Sequence, residues 1–302
     1  MSDEILYLNG QFMPLSEGRV NVEDRGFQLG DGIYEVVKVL NGHPMWLEDH
    51  LTRLRASLKA IRLVDTLAAH PLEEVVPELI RQSGLGNATV YIQVTRGYAP
   101  REFIFPHPPE PTILAYVRAK EFPTADEIMR GTTLHPVRDQ RWAHCDIKST
   151  NLLAAVLAKE EAFEAGADEA LFVSQRGVVR EGGSSNVFAV VEGVIRTHPL
   201  SNRILGGITR KHAIAAAHRI GLSVEERAFT LPEITDPEGG CSEVFTASTA
   251  KDLLPVRQIG EAVIHGGRPG DITLELLDIM RAEQAFMAEM ELPIELSSLS
   301  RG

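Results

Sequence analysis

Three turns constrain this chain most: Asn9-Gly10, Asn41-Gly42 and Glu192-Gly193, each set between short apolar runs. A two-residue connection ending in glycine suits a turn with positive φ at both central residues, and the flanking runs then fold back as a hairpin. Ile5 to Leu8 pairs in this way with Gln11 to Met13, Tyr34 to Leu40 with Met45 to Leu47, and Asn186 to Val191 with Val194 to Thr197. Residues 88–95, 112–117 and 169–173 read as further strands. Leu47, Leu51, Leu54, Leu58 and Ile61 recur at helical spacing and predict an amphipathic helix over 47–62, with Arg53 and Arg55 off the leucine stripe. Residues 71–83, irregular at Pro77, and 272–290 read as helices too. A chain of 302 residues can hold two cores. Glu121 to Asp126 reads as their connection, which gives domains over 1–121 and 122–302.

The formal charge of −12 and the scatter of the basic residues argue against a nucleic-acid surface. No apolar run approaches the roughly 20 residues that span a bilayer, so no membrane segment is expected. Met1-Ser2-Asp3-Glu4 is acidic and gives no sign of an export signal. Cys145 and Cys241 stand far apart, without disulfide or metal spacing, which fits a cytoplasmic location. The ten histidines form no spaced cluster, and no metal site is expected. Small-molecule chemistry is the reading that remains.

Two motifs carry that chemistry. Cys145-Asp146-Ile147-Lys148-Ser149-Thr150-Asn151 opens into the apolar run from Leu152, and a helix is expected from just after Lys148 to about Ala165. A lysine at such a helix mouth faces unpaired N–H groups and the positive end of the dipole, which favour the neutral amine that carbonyl chemistry needs. The bland alternative is a solvated surface lysine. Thirty residues on, Glu181-Gly182-Gly183-Ser184-Ser185-Asn186-Val187-Phe188 places an acid before a turn of small and hydroxyl residues. The turn can offer N–H and O–H donors to an anion, and the carboxylate can face a cationic ring nitrogen. That pair of features suits pyridoxal 5'-phosphate, with Lys148 holding its aldehyde carbon as a Schiff base. A third stretch, Ile204 to Arg210, sets Gly206 and Gly207 before Ile208 and Thr209 at a helix start. It reads either as a simple capped helix or as an anion site.

Together with Gly207-Ile208-Thr209-Arg210, Asp24 to Glu35 and Val94-Thr95-Arg96-Gly97, these motifs resemble the fold type IV pyridoxal-phosphate aminotransferases, and within them the D-amino-acid aminotransferases. The likeness covers nearly the whole chain. It implies an α+β, two-domain fold: a smaller N-terminal α/β domain, a larger C-terminal domain with a β-barrel-like sheet core, and the cofactor between them. It implies that Lys148 is the catalytic base, that Glu181 faces the ring nitrogen with Ser184, Ser185 and Asn186 beside it, and that Arg53, Ile208, Thr209, Ser248 and Thr249 hold the phosphate. Arg53 otherwise reads as a surface charge, and Ser248-Thr249 as a turn. Tyr34 and Arg101 would take the substrate carboxylate. Phe103 stands where the family carries a histidine, and a phenyl ring cannot donate to a carboxylate, which puts the preferred substrate in question. A D-amino acid, a 2-oxo acid and a homodimer are the implied partners. Rival activities of the same fold are a branched-chain aminotransferase, an amine transaminase and an aminodeoxychorismate lyase; a binding protein without turnover is the rival of another class.

Overall fold

The computed structural model describes residues 4–64, 66–293 and 295–301. Met1–Asp3, on which most of the export-signal expectation rests, lie outside the described residues. The chain divides into two compact units. One takes the residues up to Glu121 with Ile147–Leu152 and Met287–Met290; the other takes Phe122–Asp146, Leu153–Phe286 and the residues from Glu291.

The first unit contains β1 (Ile5–Leu8), β2 (Gln11–Pro14), α1 (Arg25–Leu29), β3 (Gly32–Leu40), β4 (His43–Pro44), α2 (Leu47–Ala60), α3 (Leu72–Ser83), β5 (Ala88–Thr95) and β6 (Thr112–Ala119). Its six strands form one antiparallel sheet in the order β2-β1-β6-β5-β3-β4. Side chains alternate across a strand, so Ile33, Val37 and Val39 of β3 share a face and join Val90, Ile92 and Val94 of β5 in the core. Leu51, Leu54 and Leu58 of α2 and Leu72, Val76 and Leu79 of α3 complete that core. The leucine stripe read from the sequence therefore packs as expected. Glu35 falls in the same alternation as Ile33 and Val37, which places a carboxylate, fully buried, among apolar neighbours.

The second unit contains α4 (Ala125–Arg130), β7 (Thr132–Arg138), α5 (Leu153–Glu164), β8 (Glu169–Val173), β9 (Val179–Gly182), β10 (Asn186–Val191), β11 (Val194–Thr197), α6 (Ile208–Arg219), β12 (Val224–Glu226), α7 (Leu231–Thr235), β13 (Cys241–Ser248), β14 (Asp252–Ile259), β15 (Ala262–Val263) and α8 (Asp271–Met287). The sheet runs β12-β11-β10-β13-β14-β7-β8-β9, with β15 beside β14. The tight turn after β9 returns the chain to β10 in the other half of this order, through Gly182 N–H donating to Ser185 O at 2.6 Å, so the sheet curls. Leu171, Val179, Val187, Ala189, Val244 and Val256 line the core inside the curl. All six residues of β10 are buried.

The three turns form as read, but the return strand of the second hairpin is His43–Pro44, not Met45 to Leu47, because the chain already enters α2 at Leu47. Asn9, Asn41 and Glu192 have φ of 47°, 48° and 52°, and the glycines that follow have 94°, 80° and 78°. Such a pair of positive φ values matches the right-handed twist of the strands it joins. A second expectation fails as well. α5 begins at Leu153, not directly after Lys148, because the intervening backbone is committed elsewhere. Lys148 O accepts from Tyr34 N–H at 3.0 Å, Thr150 N–H donates to Gly32 O at 3.0 Å, and Ile33 pairs with Ser149. β4 covers only Val39 and Leu40 of the β3 edge, and the segment 148–150 fills the start of that edge.

Candidate active site

The residues singled out in the sequence fall into two sets, one in each unit. In the first unit, Lys148 is half-buried and its Nζ lies 4.2 Å from the centroid of the Tyr34 ring. That distance allows a cation–π contact when the amine is charged. The helix-mouth argument does not apply to this lysine; its position comes from the β3 edge. Gly30, with φ of 65°, lets the chain turn there, and a side chain at that residue would meet Asn151 Oδ1 at 2.2 Å. Tyr34 stacks on Tyr91 with ring centroids 5.8 Å apart, and Tyr91 on Tyr116 at 5.2 Å, so an aromatic ladder fixes the tyrosine beside the lysine.

Arg53 is not the surface charge that its place off the stripe suggested. Its Nε donates to Glu35 Oε1 at 2.7 Å and its Nη2 to Glu35 Oε2 at 2.8 Å, a fork on a carboxylate. His50 Nδ1 lies 2.8 Å from the same Oε2. Burial alone would raise the Glu35 carboxyl, but the hydrogen bonds and charge of Arg53, helped by His50, bring it down to about 2. Burial likewise holds His50 below its ordinary value, against the pull of Glu35. Sequence reading missed Glu35 and His50; the polar Glu35 inside an apolar alternation was the available signal.

Arg101 and Phe103 lie exposed on the loop after β5, Phe103 at 81%. The loop is pinned from below. Arg25 Nη1 donates to the carbonyls of Glu102 and, at 3.4 Å, Ile104, and Arg96 lies 3.6 Å over the Phe105 ring. Asp31 ties both arginines together: it accepts from Arg25 Nε at 2.8 Å and from Arg96 Nε and Nη2 at 2.8 and 3.0 Å.

In the second unit Glu181 is buried at the end of β9. Its Oε2 accepts from Asn186 Nδ2 and from Leu205 N–H, both at 3.0 Å, and its Oε1 accepts from Arg141 Nη1. Asn186 thus orients Glu181, and its amide also donates to Leu205 O at 2.8 Å. Burial pushes the Glu181 carboxyl up to about 7 against the opposing pull of Arg141 and Leu205 N–H. Ser184 is exposed and joins a different cluster, donating to Glu169 Oε2 at 2.9 Å and accepting from Lys159 Nζ at 3.1 Å. Arg141 escaped the sequence reading altogether, since nothing in its spacing ties it to residue 181.

α6 starts at Ile208 behind Gly207, which makes no side-chain cap. A side chain at Gly207 would meet Asn186 Oδ1 at 2.1 Å, so the glycine is needed for that close approach. Thr209 is buried in the first turn, and among the described residues its Oγ1 has no hydrogen-bond partner; the same holds for Ser185 Oγ. Ser248 ends β13 and, with Thr249, is half-buried at the turn into β14. A helix start with open N–H groups and an orphaned buried hydroxyl is what an oxyanion requires.

The fold is that of a transaminase. It matches a T.th. branched-chain amino acid aminotransferase, solved with pyridoxamine 5'-phosphate, with a TM-score of 0.86 at 24% identity over 99% of this chain and 98% of that one. The family model described as amino-transferase class IV matches residues 32–259, and the chain belongs to that family. It is 38% identical to the D-alanine aminotransferase of Staphylococcus haemolyticus over 273 residues, 90% of this chain and 94% of the relative. It is also 38% identical to that of Bacillus licheniformis over 265 residues, 88% of this chain and 92% of the relative.

Proposed function

We propose that this aminotransferase uses pyridoxal 5'-phosphate to move the amino group between a D-amino acid such as D-alanine and a 2-oxo acid such as 2-oxoglutarate. The observation that carries the cofactor reading is the buried, partnerless hydroxyl of Thr209 at the open start of α6. It fits a phosphate, which accepts from N–H and O–H alike. The choice of D-amino acids rests on the D-alanine aminotransferase relatives.

When bound, the cofactor supplies an electrophilic carbon and a conjugated ring that takes up the electron pair left as the substrate's α-proton departs. Lys148 removes that proton as base and returns it as acid. The Tyr34 ring beside Nζ holds the amine in place and limits its hydration. Glu181 keeps a proton at the ring nitrogen, an acceptor role that the donors Arg141, Asn186 and Leu205 N–H support by favouring its ionised form against burial. Thr209, Ile208 N–H and Ser185 bind the phosphate, with Ser248, Thr249 and the Glu35-held Arg53 as further donors. Tyr34 and Arg101 orient the substrate carboxylate. Phe103 contributes an apolar face there, which favours substrates with apolar side chains.

The working form is a homodimer. α5 turns the small residues Ala158 and Ala162 inward and leaves Leu153, Val156, Leu157 and Phe163 exposed, 58% or more each. A helix with its large apolar residues outward presents a patch suited to a second copy. Sedimentation should give twice the chain mass of 33.2 kDa, and Leu157→Glu should reduce it to one.

Turnover of D-alanine with 2-oxoglutarate, beside L-alanine and an amine lacking a carboxylate, tests the reading. Pyruvate formation from D-alanine that depends on 2-oxoglutarate supports it. Turnover of L-alanine or of the amine alone would move the chain to a sister activity, and pyruvate released without an acceptor would make it a lyase.

A further inference from the structure

Arg141 lies outside every motif read from the sequence, yet it sits at the centre of the polar network around Glu181. Asp139 grips it from one side: Oδ1 accepts from Arg141 Nε at 3.0 Å and from its backbone N–H at 3.1 Å, and Oδ2 accepts from Nη2 at 3.1 Å. The guanidinium lies 4.0 Å over the Phe172 ring, and Nη2 also donates to Arg203 O at 3.3 Å. With its plane fixed on three sides, Nη1 is aimed at Glu181 Oε1.

An ionised carboxylate has about four acceptor positions. Arg141, Asn186 and Leu205 N–H fill three of those of Glu181, which leaves one for a single further donor. A carboxylate surrounded by donors is stabilised in its charged form, whereas burial opposes that form. Arg141, in direct contact with Oε1, supplies the positive charge that offsets that burial. The other groups around the pair are Asp139, which opposes ionisation of Glu181, and Cys145, whose thiol burial pushes up to about 11 and keeps neutral at working pH. Arg180, the neighbour of Glu181 on β9, is turned to His198 Nε2.

We propose that Arg141, clamped by Asp139, is a positioning residue that offsets the burial of Glu181 in favour of its ionised form and leaves one of its acceptor positions free for the protonated ring nitrogen of the cofactor. This rests on the reading of Glu181 given above. Arg141 acts through Glu181 and needs no contact with substrate. Loss of its charge should leave Glu181 protonated over a wider pH range, and a protonated carboxyl no longer holds a proton on the ring.

The test uses full-length Arg141→Met and Asp139→Asn, with Arg141→Lys as the conservative variant, and two readouts. In infrared titration of the cofactor-free protein, the protonated-carboxyl band that Glu181→Gln abolishes should persist about one pH unit higher or more in Arg141→Met, a tenfold change in ionised fraction per unit. It should move less in Asp139→Asn and least in Arg141→Lys. In the cofactor-loaded enzyme, the acid limb of kcat should move up by a similar amount while KM for D-alanine changes by less than about threefold. If Arg141→Met fails to fold, the same two shifts in Asp139→Asn decide the matter. An unmoved carboxyl band in a folded variant overturns the proposal. A moved band with an unmoved kinetic limb overturns the role in catalysis while leaving the ion pair intact, and traces the fault to the reading of Glu181.

Discussion

Arg53 meets Glu35 through two hydrogen bonds, of 2.7 and 2.8 Å, on a strand face otherwise built of isoleucine and valine. Glu35 is wholly buried and Arg53 retains 13% of its side-chain exposure. Removing one partner of such a pair leaves the other charge desolvated, which costs about 3–5 kcal/mol. Glu35→Gln is therefore expected to lower the unfolding free energy by about 3 kcal/mol, measured by urea denaturation at neutral pH.

The same carboxylate sets the response to acid. Its folded value of about 2 lies below its ordinary 4.5, so between those pH values the unfolded chain binds the proton and the folded one does not. The stabilisation is complete above pH 4.5 and is lost as pH falls toward 2, a span worth about 3 kcal/mol. His50, held neutral by burial, adds a loss of the same sign below its ordinary 6.5. Urea midpoints from pH 6 downward should fall for the native chain and fall less steeply for Glu35→Gln.

Lys148→Ala is expected to abolish turnover of D-alanine and leave the fold intact. Its side chain is half-buried and its contact with the Tyr34 ring is of the kind worth about 0.5–1 kcal/mol. Coincident urea curves with no pyruvate formation would meet the expectation; substantial turnover in the variant would refute the assignment of Lys148 as base.

Thr209→Val deletes a hydroxyl that is buried and, among the described residues, has no hydrogen-bond partner. Stability should hold or rise slightly, because a desolvated polar group is replaced by a methyl group. Affinity for pyridoxal 5'-phosphate should fall by about tenfold, the worth of one hydrogen bond to a charged acceptor. Fluorescence titration of the cofactor-free protein measures both the native and the variant constants.

Phe105→Leu removes the ring face beneath which Arg96 is buried and keeps an apolar side chain. With Arg101 on the same loop, the expected result is a KM for D-alanine raised about threefold to tenfold with kcat within about twofold, since a loosened carboxylate contact weakens binding in ground and transition states alike. Steady-state kinetics with D-alanine and with a carboxylate-free amine distinguishes this from a general loss, because the amine should be unaffected.

The turns, the leucine stripe of α2, and the strands 88–95, 169–173, 186–191 and 194–197 follow from the sequence alone, because each depends on residues within a few positions of one another. The glutamate before its small-residue turn and the glycine-threonine helix start were legible for the same reason, whereas the helix mouth read for Lys148 is not there, because α5 begins only at Leu153. Tertiary structure decided what surrounds them. Lys148 owes its place to the unfilled edge of a strand more than a hundred residues earlier, Arg53 its fork to Glu35, and Glu181 its partners to Arg141, Asn186 and Leu205. A hydrogen bond or an ion pair depends on distance and desolvation in space. The sequence names the groups that can make them, and folding selects the pairs that are made.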